Sequence, residues 1–138
     1  MSSLDARRAS SINRRLQILL LLLILWDGIA LLAEVSFGGP LFELSGDRIS
    51  GFLAARGSFS GVTVVPVALY GYAFLRGPLR HRNILWAAVC EQGAGALFAV
   101  YHSAAGDIKF EGAILPLVVS AALLVLLLLN LPRGQVTT

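Results

Sequence analysis

Asp27 and Glu34 interrupt "LLLLLILWDGIALLAE", a run of aliphatic residues that would otherwise read as plain hydrocarbon. They are seven residues apart, two helical turns, so they share one helix face to within about 20°. Leu20, Leu23, Ala30 and Leu31 fall on that same face. In a later apolar run, Glu91 and His102 are eleven residues apart, about three turns, and also share a face, with Gly95 and Phe98 between them. An acid at the centre of a membrane helix costs on the order of 2.5–3.5 kcal/mol, which long leucine runs can offset. Ionisable groups kept at such depth face the protein interior, where they pair with one another or line a cavity. The chemistry open to them is proton binding, or recognition of a polar ligand in a dry interior.

Depth sorts these residues into two layers. Counted at about 1.5 Å per residue from Leu16 and Ile84, Glu34 and His102 both lie roughly 27 Å from the same membrane face. Arg56, just before another apolar run, enters at that level, so Glu34, Arg56 and His102 form a candidate outer cluster. Asp27, about 16 Å up, and Glu91, about 10 Å up, form a looser inner pair. Each has a plainer reading. Glu34 and Arg56 make an ordinary interfacial ion pair, with His102 at a helix end. Asp27 is then a buried carboxyl pinned by a neighbour. Gln92, Tyr70, Tyr72 and Tyr101 are the available hydrogen-bonding partners in either case.

Several reaction chemistries fail on residue types. A di-iron bundle site needs paired Glu-x-x-His motifs, which do not occur. Two histidines for haem are not on one side of the membrane: His81 lies in a loop at the opposite end from His102. Zinc would have Glu34 and His102 without a third good ligand. There is no GxSxG, Walker or HExxH motif. The single cysteine, Cys90, excludes an intramolecular disulfide and is expected to be buried and inert. No catalytic residue, metal or cofactor is assigned, and enzymatic activity has no support in the sequence.

The elements that must position the polar residues follow from composition. The 138-residue chain is 57% hydrophobic and 14% charged, with mean hydropathy +0.77; soluble domains carry roughly 25% charged residues. With about 20 apolar residues needed per helix crossing, spans are predicted at about 16–37, 58–75, 84–104 and 112–131, with an outer loop at 38–57. The first run is too long and too acidic for a signal peptide. Arg7, Arg8, Arg14 and Arg15 precede the first span, Arg76, Arg80 and Arg82 lie between the second and third, and Arg133 follows the fourth. Only Arg48, Arg56 and Lys109 fall in the other two connections. Arg-rich short loops stay cytoplasmic, so both termini are predicted inside, in a plasma (inner) membrane protein whose primary partner is the lipid bilayer. The basic charge is topological, and no basic stripe interleaved with aromatics points to nucleic acid.

The predicted fold is therefore all-α, an antiparallel four-transmembrane-helix bundle. "RGPLRHRN" is short enough to make spans two and three a tight hairpin. The small residues of span three, among them Ala87, Ala88, Gly93, Gly95 and Ala96, read as a closely packed central helix. Apolar residues within 41–57 suit a short helix lying at the outer interface.

With four spans, the "AARGSFSG" entry to span two and the Gly-rich third span, the chain resembles the DoxX-like group of small bacterial four-helix membrane proteins. The resemblance covers architecture over most of the chain, and Arg56 with its following glycines is what aligns. It implies an accessory role, since such proteins often sit beside redox enzymes, and it carries over no catalytic residues. Two functions follow as expectations. One is an accessory or interaction subunit that binds a protein partner or forms a homo-oligomer. The other is a small proton-coupled carrier or lipophilic-molecule binder that uses Asp27, Glu34, Glu91 and His102.

Overall fold

A peptide group in hydrocarbon finds no water to bond, so each apolar run must satisfy its backbone locally, as helix. In the computed structural model the backbone is described for residues 3–37, 49–106 and 110–131, and the side chains for 10–32, 63–106 and 110–131. These residues form α1 (Ser3–Phe37), α2 (Ile49–Arg76), α3 (Arg82–Ala104) and α4 (Phe110–Asn130), with a 3-10 turn at Pro78–Arg80. The fold is all-α. Ser10–Leu32, Arg82–Ala104 and Phe110–Asn130 are each long and apolar enough to cross a membrane. The chain is a multi-pass helical membrane protein. Within α2 the apolar stretch Thr63–Arg76 is shorter, although the whole helix has 28 residues.

Part of the stretch expected as a loop at 38–57 is helix. Helix α2 already begins at Ile49, so 49–57 are its first turns rather than a separate interfacial piece. Residues 38–48 lie outside the described part.

Packing follows chain order. Helix α1 lies closely against α2, and α3 against α4; α1 also meets α4, and α2 meets α3 lightly. Among the described residues, α1 and α3 make no close backbone approach, nor do α2 and α4. The order around the bundle is therefore α1, α2, α3, α4, with α1 and α3 on one diagonal.

Two expectations are corrected here. Spans two and three are not a tight hairpin, because the 3-10 turn holds their ends while their lengths stay largely apart. Nor is the third span the central helix. Its small residues do not act together: a Cβ on Gly95 would lie 3.5 Å from Ser120 Oγ of α4, one on Gly93 would meet nothing within 4 Å, and Ala87 and Ala94 are exposed. The shared core is built instead on α1, whose Leu16, Leu19, Leu20 and Leu23 are buried at helical spacing. Tyr70 and Ala73 of α2, Leu85 and Ala88 of α3, and Leu123 and Leu127 of α4 complete it.

The turn between α2 and α3 is fixed by its residues. Gly77 takes φ 95, a region that costs an L-residue and costs glycine little. Pro78 follows with φ already set, and the Arg80 and His81 amides bond back to Gly77 and Pro78 carbonyls at 3.1 Å. One of the last carbonyls of α2, at Phe74, accepts from Gln17 Nε2 of α1 at 3.2 Å. That carbonyl has no partner within its own helix, so the amide fastens α1 to the end of α2.

Candidate functional site

Asp27 is seven residues on from Leu20 and four from Leu23, so the stripe that buries those leucines carries it inward too. It is 6% exposed. From α3 comes Glu91, half-buried, and from α2 comes Tyr70, 1% exposed. The Tyr70 hydroxyl donates a hydrogen bond to the Glu91 carboxylate. Asp27 lies within electrostatic reach of both Glu91 and Tyr70. Because α1 and α3 occupy opposite corners, the two acids approach across the interior, with α2 supplying the phenol.

The remaining capacity of this layer is for accepting. Asp27 Oδ2 and, on α3, Gln92 Oε1 are buried and have no hydrogen-bond partner among the described residues. A buried acceptor left unpaired costs about 1–3 kcal/mol, so it is a strained feature in an otherwise leucine-packed bundle. The Asp27 carboxylate can take a proton, and either oxygen can accept from a donor group on a bound molecule.

The predicted outer cluster is described only in part. Glu34 falls in α1 and Arg56 in α2, but their side chains lie outside the described residues. His102, half-buried in the last turn of α3, packs against its own helix: its ring centroid is 4.2 Å from Phe98 and 5.1 Å from Tyr101. His81 is at the other end of α3, 4.9 Å from the Tyr72 ring. Among the described residues no group of three or more His, Cys, Asp or Glu side chains is placed to hold a metal ion.

Cys90 corrects another expectation. It is exposed, because the buried stripe of α3 runs through Ala88 and Gln92, and Cys90, two residues from each, falls on the opposite side of the helix. Sequence reasoning overlooked Gln17, although a lone amide at the start of a leucine run is a visible signal. It named Tyr70 only as one of several possible donors. The pairing with Glu91 depends on how α2 and α3 meet, which no spacing within one helix encodes.

No family model matches the chain, and neither the curated proteins nor the solved structures contain a match. The likeness to the DoxX-like group therefore rests on the residues quoted for it and on nothing further.

Proposed function

We propose that this is a four-span protein of the bacterial plasma membrane, with α2 as its fourth crossing and both termini cytoplasmic. In this reading it is an accessory subunit, held in a larger membrane complex or in an oligomer of its own chain. The arginine distribution supports the orientation. The observation that carries the role is on α3: Ala87, Cys90 and Ala94, spaced three and four residues apart, are exposed on the side turned away from the chain's own core. Small residues in a stripe are what membrane helices use to approach one another, since lipid provides no hydrophobic drive for association. The test is native mass spectrometry of protein extracted from its own membranes, for the wild type and for Ala87→Leu/Ala94→Leu. A heavier assembly that falls apart in the variant supports the subunit reading. A bare monomer in both removes it.

A second reading is favoured by a different observation, the buried layer of Asp27, Tyr70 and Glu91. There the protein is a small proton-coupled carrier or a binder of lipophilic molecules, and the layer is its site. The two readings part at Asp27→Asn. A subunit with a structural acid keeps its assembly and its behaviour, whereas a proton-coupled binder stays folded and loses any pH-dependent uptake or binding.

A further inference from the structure

Three separate segments bring arginines to one end of the bundle. The 3-10 turn touches α1, α2 and α3, and at its start a Cβ on Gly77 would sit 3.9 Å from Asn13 Oδ1 of α1. Arg14 follows Asn13 directly, Arg76 ends α2, and Arg80 ends the turn; all three are exposed. No described carboxylate is near. Asp27 lies about 18 Å along α1 from Arg15, and Glu91 about 14 Å along α3 from Arg82.

This end also carries the marks of a membrane interface. Trp86, one turn into α3, is 52% exposed, and Tyr72, one turn before the end of α2, is 50% exposed. Tryptophan and tyrosine collect at headgroup level. Beside Arg76, Leu75 is 79% exposed, the most exposed of the large apolar side chains described. Exposed arginines on three segments that meet at one end, with an exposed leucine next to one of them in the chain, are matched by a molecule with an anionic head and a hydrocarbon tail. A free phosphate would leave the leucine uncovered.

We propose that Arg14, Arg76 and Arg80, gathered by the Gly77–Arg80 turn, form a binding site for the phosphate headgroup of an anionic phospholipid, with its acyl chain against Leu75. Arginine suits this role because its planar fork donates two bonds to phosphate oxygens at once. The inference rests on the multi-span reading, with this end at headgroup level.

The test uses the full chain in nanodiscs of phosphatidylcholine, with and without phosphatidylglycerol, followed by native mass spectrometry of the lipid retained. The wild type should keep phosphatidylglycerol in preference to phosphatidylcholine. Arg14→Gln/Arg76→Gln/Arg80→Gln should lower that preference by about tenfold or more. Arg7→Gln/Arg8→Gln/Arg133→Gln, which removes the same amount of charge from other positions in the sequence, should leave it within about twofold of the wild type. Equal losses in the two triple variants would overturn the site in favour of diffuse charge. Absence of any preference in the wild type would do so without reference to how the variants fold. Displacement of the lipid by inorganic phosphate would overturn the lipid assignment. Carbonate washing of the native membranes separates the underlying failures: a chain that washes off refutes the membrane reading itself, and a chain that stays but ignores phosphatidylglycerol refutes only the site.

Discussion

The Tyr70 hydroxyl of α2 bonds the Glu91 carboxylate of α3 across the most weakly joined seam of the bundle. Elsewhere those two helices are connected chiefly through the turn at Pro78–Arg80. The phenol is almost wholly buried, and the acid is shared electrostatically with Asp27 on the far diagonal. One hydrogen bond thus ties the α1–α2 pair to the α3–α4 pair at the level of the polar layer.

Removing that bond should have a small, coupled cost. Hydrogen bonds between membrane helices average about 0.6 kcal/mol and reach about 1.7, so Tyr70→Phe is expected to destabilise the bundle within that range. Glu91→Leu, which leaves the phenol without its acceptor, should cost a similar amount or more, and the double variant less than the sum. Unfolding by SDS titration of mixed micelles measures all three. Costs that add to within about 0.5 kcal/mol would show that the two side chains do not act on each other.

Asp27 gives a prediction of opposite sign. Its Oδ2 is buried without a partner among the described residues, and its neighbours along α1, Leu20 and Leu23, are fully buried. Replacing an unsatisfied acceptor with an apolar side chain of similar size removes a desolvation penalty of about 1–3 kcal/mol. Asp27→Leu should therefore raise the unfolding midpoint, whereas Asp27→Asn, still polar, should change it little. A lower midpoint for the leucine variant would mean that the carboxylate holds the structure together and is not retained at a cost.

Much of the helix content was legible because it follows from composition: leucine-rich runs of this length can only be helices in lipid. The inward stripe of α1 was legible too, since Leu20, Leu23 and Asp27 follow from helical periodicity alone. What periodicity leaves open is which helix meets which. Gly95 and its neighbours show that α3 packs closely, but not that Ser120 of α4 is the partner. The light contact between α2 and α3 has no signature in the short loop joining them. Cys90 is a different case, because the Ala88–Gln92 spacing already turns it outward; expecting it buried treated a residue inside a span as one inside the protein. Depth counting set Asp27 and Glu91 together as a loose inner pair, and their approach in space required the ring order of the helices as well.

Cys90 offers a direct check on what surrounds α3. As the chain's single cysteine, exposed on the outward side of a candidate span, it should be shut off from water, by lipid or by a partner helix packed on that face. A thiol reacts as the thiolate, which needs water or a charge partner to form. In sealed native membranes a charged maleimide should leave Cys90 unlabelled, and should label it once SDS is added. In a Cys90→Ala background and in inside-out vesicles, which turn the proposed cytoplasmic side outward, Ser11→Cys, exposed at the start of the first apolar stretch, should label without detergent. Rapid labelling of Cys90 in intact membranes would place that face of α3 against water or a hydrated partner.

Two glycine substitutions should separate a backbone requirement from a packing one. At Gly77, φ 95 is unfavourable for alanine by roughly 1–2 kcal/mol. The space itself is adequate, the nearest atom to a new Cβ being Asn13 Oδ1 at 3.9 Å. At Gly93, within α3, a Cβ would meet nothing within 4 Å, and alanine is the better helix former by about 0.5–1 kcal/mol. Gly77→Ala is therefore expected to lower the SDS unfolding midpoint and Gly93→Ala to hold or raise it. Because the Gly77 turn also gathers Arg14, Arg76 and Arg80, the first variant should weaken retention of phosphatidylglycerol while the second leaves it intact. If Gly77→Ala unfolds like the wild type, the turn is not held in the left-handed conformation, and the arginine cluster loses the geometry that defines it.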